Sequence, residues 1–140
     1  MGREGLRMRT RVVVAAYSLV IGIMMLAMWS VFAVTDQIPE IEERPKEIAF
    51  HLAAEFLTAF ALMAGGAGLL LRRGWAFGAN MVALGMLGYT VVVSPGYYAE
   101  TGDYAFVGMF AALMVLTMVF IVLSVTRREE LRECTEGALQ

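Results

Sequence analysis

The sequence predicts an all-α integral membrane protein, an antiparallel four-helix bundle that forms a single domain over residues 1–140 with both termini in the cytoplasm. Hydrophobic residues make up 59% of the chain and charged residues only 17%, against roughly 45–50% and about 25% in soluble domains. The charges lie in short blocks between long, nearly uncharged stretches, each near the roughly 20 residues that a membrane helix needs. A soluble fold of this size cannot bury so much apolar surface.

The membrane spans follow from those stretches. We predict spans over about residues 12–35, 48–71, 75–94 and 104–126. The third is expected to stop at Pro95-Gly96, because proline interrupts helical hydrogen bonding. The spans should be helical, since lipid offers the backbone no hydrogen-bond partner. Strands of a membrane barrel would alternate apolar and polar residues, and these runs do not alternate.

The distribution of positive charge orients the bundle. All of the 11 Lys and Arg residues except Arg44 and Lys46 fall before the first span, between the second and third, or after the fourth. By the positive-inside rule, we expect both termini and the tail 127–140 on the cytoplasmic side of the cell (inner) membrane. The acidic loop 36–47 then lies outside and is expected to be irregular, and the tail is expected to fray.

Small residues at four-residue spacing mark the faces where helices approach closely. These residues are Ala61 and Gly65, Ala64 and Gly68, Gly74 and Gly78, and Ala79 and Ala83, followed by Gly85 and Gly88. We interpret them as internal packing of the bundle, with a dimer interface as the alternative. Asn80 is interpreted as an interhelical hydrogen-bonding residue. Trp29 and Trp75 fit the aromatic belts at the two membrane surfaces.

Glu55 is the residue hardest to explain as packing. It lies about two turns inside the second span, roughly 10 Å from its outer end, where an ionised carboxylate is costly. Glu47, His51 and Thr58 share its helix face, because three- and four-residue steps return to the same side. We predict a polar cavity open to the outside, with Glu55 at its floor and His51 on its wall. The alternative is a structural pair in which His51 and Glu55 fix the helix register.

Polar residues at the outer ends of the third and fourth spans extend this candidate site. The candidate ligand- or proton-binding residues are Glu47, His51, Glu55, Thr58, Tyr97, Tyr98 and Asp103. Anchoring at the membrane surface is the alternative role of the tyrosines. The sequence assigns no catalytic residue and no metal site, and it identifies no cofactor.

Composition and charge limit the classes of function that fit this sequence. A net charge of -2 gives no basic field for nucleic acid. We interpret the chain as a non-enzymatic membrane protein that binds a small ligand or lipid, or serves as an accessory subunit of a larger membrane complex. A proton- or cation-coupled transporter acting as a homodimer stays open, although small multidrug transporters carry their membrane carboxylate in the first span. A quinone-binding redox accessory protein, with His51 and Tyr98 as hydrogen-bond partners, also stays open.

The stretch HLAAEFLTAFALMAGGAGLLL, in a chain of four spans and 140 residues, resembles small prokaryotic membrane proteins of the DoxX-like type. The resemblance implies a four-helix bundle and, for some members, a link to quinone or thiol redox complexes. Cys134 is the single cysteine of this sequence, so a redox-active cysteine pair is not expected here.

Overall fold

The computed structural model of the protein describes residues 3–36 and 44–136, and within these ranges it contains helices and no strand. The helices are α1 (Arg3–Val34), α2 (Pro45–Leu70), α3 (Ala76–Thr101), α4 (Tyr104–Thr126) and α5 (Arg128–Glu136). In the described part of the chain, four helices, α1 to α4, are long and apolar enough to cross a membrane. This confirms the predicted all-α class and the presence of four long apolar helices. Most of the predicted acidic loop (37–43) and the last residues of the tail (137–140) lie outside the described residues.

The start of α2 lies inside the predicted outer loop. Pro45 occupies the first turn of the helix, a position that tolerates proline because the N–H there has no helical partner. Glu47 follows in the same turn, where a negative charge is favourable beside the helix N-terminus. The helix therefore begins before residue 48, the predicted start of the span.

The predicted stop of the third span at Pro95 is wrong. Pro95 lies inside α3, which continues to Thr101 and ends at Gly102 in the left-handed conformation (φ 81°). The Ser94 hydroxyl donates to the Thr90 carbonyl oxygen at 2.8 Å, and the carbonyl that Pro95 leaves without its helical donor is that of Val91. The backbone N–H of Asp103 donates to the Tyr98 carbonyl oxygen at 2.9 Å and closes the helix end.

The bundle core is an apolar cluster to which all four long helices contribute. Its buried members are Met25 from α1, Ala59 and Leu62 from α2, Ala83, Leu84, Leu87 and Val91 from α3, and Phe110 from α4. Consecutive long helices pack against one another along the chain. Tyr17 of α1 contacts α4, since its hydroxyl bonds Thr117 Oγ1 at 2.8 Å and its ring stacks on Phe120 at 4.0 Å.

Glycines set the closest approaches between helices. A Cβ built on Gly22 of α1 would lie 2.8 Å from the Ala59 carbonyl oxygen of α2, and one built on Gly66 would lie 2.9 Å from the Ala15 carbonyl oxygen. Gly65 is as close to the backbone of Asn80 in α3. Internal packing is thus confirmed for Gly65 and Gly68 of α2, whereas Ala64 is exposed.

The glycines of α3 behave differently. A Cβ at Gly78, Gly85 or Gly88 meets no described atom within 4 Å, so these glycines do not make the internal contacts expected of them. Asn80 is 1% exposed, yet its Oδ1 accepts no hydrogen bond from any residue that the structure describes. The bond expected across the helices is therefore not made by that oxygen.

Helix α4 uses only a narrow stripe for packing. Its buried residues are Phe110, Thr117 and Ser124, and their seven-residue interval is two turns of helix. Most of its other large apolar residues are exposed, namely Met109, Met114, Val115, Leu116, Met118, Val119, Val122 and Val125. An apolar surface of this kind suits contact with lipid tails.

The start of the tail is ordered rather than frayed. Residues Arg128–Glu136 form α5, which packs against α1, α3 and α4. Leu131 is 1% exposed and is the apolar residue by which α5 docks. Arg127, just before α5, pairs with Glu130 at 2.6 Å.

Candidate functional site

Helices α1 and α2 bring three chemically distinct side chains together, those of Trp29, His51 and Glu55. Glu55 lies on the inner face of α2 and is 5% exposed. His51 lies one turn earlier on the same face and is partly buried. Trp29 comes from α1, with its ring centroid 5.8 Å from that of His51 and the planes at 72°. Phe32 packs edge-on against Trp29, with the ring centroids 5.9 Å apart.

The close crossing of α1 and α2 explains this meeting. Gly22 nearly touches the backbone of Ala59, and Ala59 lies one turn after Glu55 on α2. Two turns after Gly22 on α1 comes Trp29, which therefore lies on the same side of its helix. A glycine at the crossing lets the two backbones approach, and the large indole then covers the carboxylate.

Two polar atoms at this position lack partners. Glu55 Oε1 and Trp29 Nε1 are both buried and form no hydrogen bond with any described residue. The imidazole of His51 is nevertheless close enough to act electrostatically on the Glu55 carboxylate, and the indole N–H of Trp29 lies near the same carboxylate. The group thus offers a carboxylate that accepts hydrogen bonds, an indole that donates one, and an imidazole that does either.

The other predicted residues of the α2 face are engaged locally. Thr58 is buried, and its hydroxyl donates to the Ala54 carbonyl oxygen of its own helix at 2.8 Å. Glu47 is exposed and pairs with Arg44 at 3.5 Å. Of the four residues predicted to share this face, only His51 and Glu55 meet Trp29.

Of the predicted residues at the outer ends of α3 and α4, Tyr98 lies in an aromatic cluster. Tyr98 stacks on Phe106 at 4.6 Å and on Phe110 at 5.6 Å, and it borders the bundle core. Asp103 is exposed at the start of α4. The side chain of Tyr97 lies outside the described residues. The predicted cavity that joins these groups to Glu55 stays a prediction.

Trp29 is the residue whose role the sequence pattern does not give. Its indole faces α2 and the Glu55 carboxylate rather than serving only as a surface anchor, whereas Trp75 is 57% exposed as expected. A signal for it exists in the sequence. Ser18, Gly22, Met25 and Trp29 recur at three- and four-residue steps, so the small residues that mark the inner face of α1 also place Trp29 on it.

A family model described as a domain of unknown function (DUF8058) matches residues 8–136. The chain belongs to the DUF8058 family. The matched segment of this DUF8058 member takes in the group formed by Trp29, His51 and Glu55. No curated protein matches the chain, and no solved structure matches it. The resemblance of the second span to DoxX-like proteins stays a prediction.

Proposed function

We propose that this DUF8058 member is a non-enzymatic integral membrane protein that binds a polar group at Trp29, His51 and Glu55. One observation carries the proposal. Glu55 is 5% exposed, and its Oε1 has no hydrogen-bond partner among the described residues. Burying a carboxylate with an oxygen that accepts no hydrogen bond is costly, and inside a membrane such a residue marks a functional site by default. A ligand that donates a hydrogen bond to Glu55 offsets this cost.

The neighbours of Glu55 define the chemistry of that ligand. Trp29 Nε1 is a buried donor without a described partner, so the ligand presents an acceptor to the indole as well as a donor to the carboxylate. A hydroxyl or an amide group meets both needs. The aromatic rings of Trp29, His51 and Phe32 favour an apolar portion next to that polar group. The group is carried by a small molecule, by a lipid, or by a subunit of a larger membrane complex.

The topology we propose places this site within reach of the outside of the cell membrane. Gly66 lies against Ala15, whereas Gly22 lies against Ala59, and this opposite order of contacts supports antiparallel helices. Exposed Arg72 and Arg73 lie between α2 and α3, which supports a cytoplasmic turn there. The connection between α1 and α2 then faces outward, close to Glu55.

The apolar core favours binding over transport. Ala59 and Leu62 follow Glu55 along α2, and both belong to a buried cluster with side chains of the three other long helices. That layer separates Glu55 from the half of the bundle where Arg11 lies. Passage of a proton or a cation through this layer would require a rearrangement of the core, whereas binding from the outer side would not.

The test is capture of the bound group from the native membrane. The protein is extracted directly into lipid nanodiscs with a membrane-solubilising copolymer, and native mass spectrometry identifies what stays bound. We expect a bound species in the wild type that is lost in Glu55→Gln and in Trp29→Phe. Glu47→Gln and Trp75→Phe are the matched controls, because they make the same changes at exposed positions.

Two results would contradict the proposal. One is the same bound species at the same occupancy in Glu55→Gln as in the wild type. The other is a wild-type protein that carries nothing beyond bulk lipid. Far-UV circular dichroism of each variant establishes that loss of binding is not loss of fold. The mass of the captured species separates a small molecule, a lipid and a protein subunit.

A further inference from the structure

Arg11 is a second buried charge, far along α1 from Trp29. It lies shortly after the start of the membrane-length stretch Met8–Val34 and is 5% exposed. Its Nε is buried without a hydrogen-bond partner in the part of the chain that the structure describes. A guanidinium presents a planar fork of donors that matches the oxygens of a phosphate. Such a group is costly to bury unless an anion accompanies it.

A second unpartnered polar group lies at the same level of the bundle. Ser124 of α4 is 1% exposed, and its hydroxyl likewise has no described hydrogen-bond partner. Ala15 packs in one buried cluster with Phe120 and Leu123. Arg11 is one turn from Ala15 on α1, and Ser124 is one turn from Phe120 on α4. The two helices therefore present a guanidinium and a hydroxyl on adjoining inner faces.

The surrounding charge at this end of the bundle selects an anion. Arg9, Arg72, Arg73 and Arg128 are exposed here, together with the acid Glu129. The acid Glu130 of α5 pairs with Arg127 at 2.6 Å, so its charge is already balanced. Basic groups between membrane helices are typical sites for the head groups of anionic lipids.

We propose that Arg11 and Ser124 bind the phosphodiester of an anionic glycerophospholipid. The Arg11 guanidinium and the Ser124 hydroxyl donate to phosphate oxygens near the start of the membrane-length stretch of α1, where that stretch meets the head-group layer. The acyl chains then lie along the exposed apolar surface of α4. This site is independent of the group at Glu55, and it adds a lipid-binding function at the other end of the bundle.

The experiment compares three phosphate sources on the purified full-length protein in a non-ionic detergent. Phosphatidylglycerol, phosphatidylcholine and inorganic phosphate are titrated separately, and binding is followed by native mass spectrometry and by the shift in melting temperature. We expect phosphatidylglycerol to bind the wild type at least about tenfold more tightly than phosphatidylcholine. Arg11→Met should weaken phosphatidylglycerol binding by at least about tenfold, the usual weight of a hydrogen bond to a charged group. Arg9→Met is the matched control, since it removes an exposed arginine nearby, and it should bind within about twofold of the wild type.

Ser124→Ala keeps the test decisive where Arg11→Met does not fold. It removes one hydroxyl without changing charge, and we expect about a fivefold loss of phosphatidylglycerol affinity with the fold intact. If Arg11→Met folds, an unchanged affinity of this variant for phosphatidylglycerol overturns the proposal. If Arg11→Met does not fold, an unchanged affinity of Ser124→Ala overturns it. So does displacement of the lipid by millimolar inorganic phosphate, which would assign the site to the free anion.

The second oxygen of Glu130 is also buried without a described partner. If Arg11 pairs with it instead, Arg11→Met and Glu130→Gln lower the melting temperature equally and leave lipid affinity unchanged, which also overturns the proposal.

Discussion

Replacement of Gly65 by alanine tests the close contact between α2 and α3. A Cβ there would lie 2.8 Å from Asn80 Cα and 3.0 Å from Asn80 N and Cβ. Carbon atoms prefer a separation of about 3.5–4.0 Å, so α3 must move by roughly an ångström, because the opposing atoms are backbone. Overpacking of this kind costs about 1–3 kcal/mol, and alanine recovers about 0.5–1 kcal/mol of helix propensity. We expect Gly65→Ala to lower the free energy of unfolding by about 1–2 kcal/mol.

Gly85→Ala is the control, because a Cβ there meets no described atom within 4 Å. It should raise the free energy of unfolding by about 0.5–1 kcal/mol through helix propensity alone. Both variants are unfolded in mixed micelles of rising dodecyl sulfate content, and helicity is followed by far-UV circular dichroism. A Gly65→Ala protein as stable as the wild type would refute the packing argument. A destabilised Gly85→Ala would show that this face of α3 is packed against a partner.

Two further substitutions test contacts at the rest of the bundle. Tyr17→Phe removes the 2.8 Å bond to Thr117 and should cost about 1 kcal/mol in the same unfolding assay. Tyr89→Phe, at a side chain that is 69% exposed, should cost nothing, and an equal loss in both variants would count against the bond. Leu131→Ala should undock α5, because this side chain is 1% exposed. Hydrogen–deuterium exchange should then accelerate over 128–136 while the long helices keep their protection. Leu71→Ala, at an exposed leucine, should leave the exchange of α5 unchanged, and unaltered exchange in Leu131→Ala would contradict the docking role.

The four long helices could be predicted from the sequence because lipid imposes a length and a composition on each span. Their ends depend on local chemistry that the general rule for proline does not capture. Pro95 removes one backbone hydrogen bond, yet α3 continues through it to the left-handed Gly102. The docked α5 was not predicted, because a single buried leucine in a polar tail gives no clear periodic signal.

The candidate site could be predicted in part. Helical periodicity alone places His51 and Glu55 on one face of α2, and that arrangement is found in the structure. The same periodicity includes Glu47, which lies at the exposed start of the helix and pairs with Arg44. The place of Trp29 in the site could not be predicted from the α2 pattern. It depends on which face of α1 packs against α2 where Gly22 meets Ala59. Such pairings between helices are tertiary facts that one sequence does not supply.

Because α4 packs through a narrow stripe, this helix tolerates exchange of one apolar residue for another but not a change in its length. One aliphatic side chain can replace another over most of its circumference, because only Phe110, Thr117 and Ser124 are buried. Deletion of a single residue between Phe110 and Thr117 would turn the remainder of the helix by about 100°. Thr117 would then leave Tyr17, and Ser124 would leave the interior. Natural variants of this segment should therefore differ freely in apolar identity while keeping a constant count of residues.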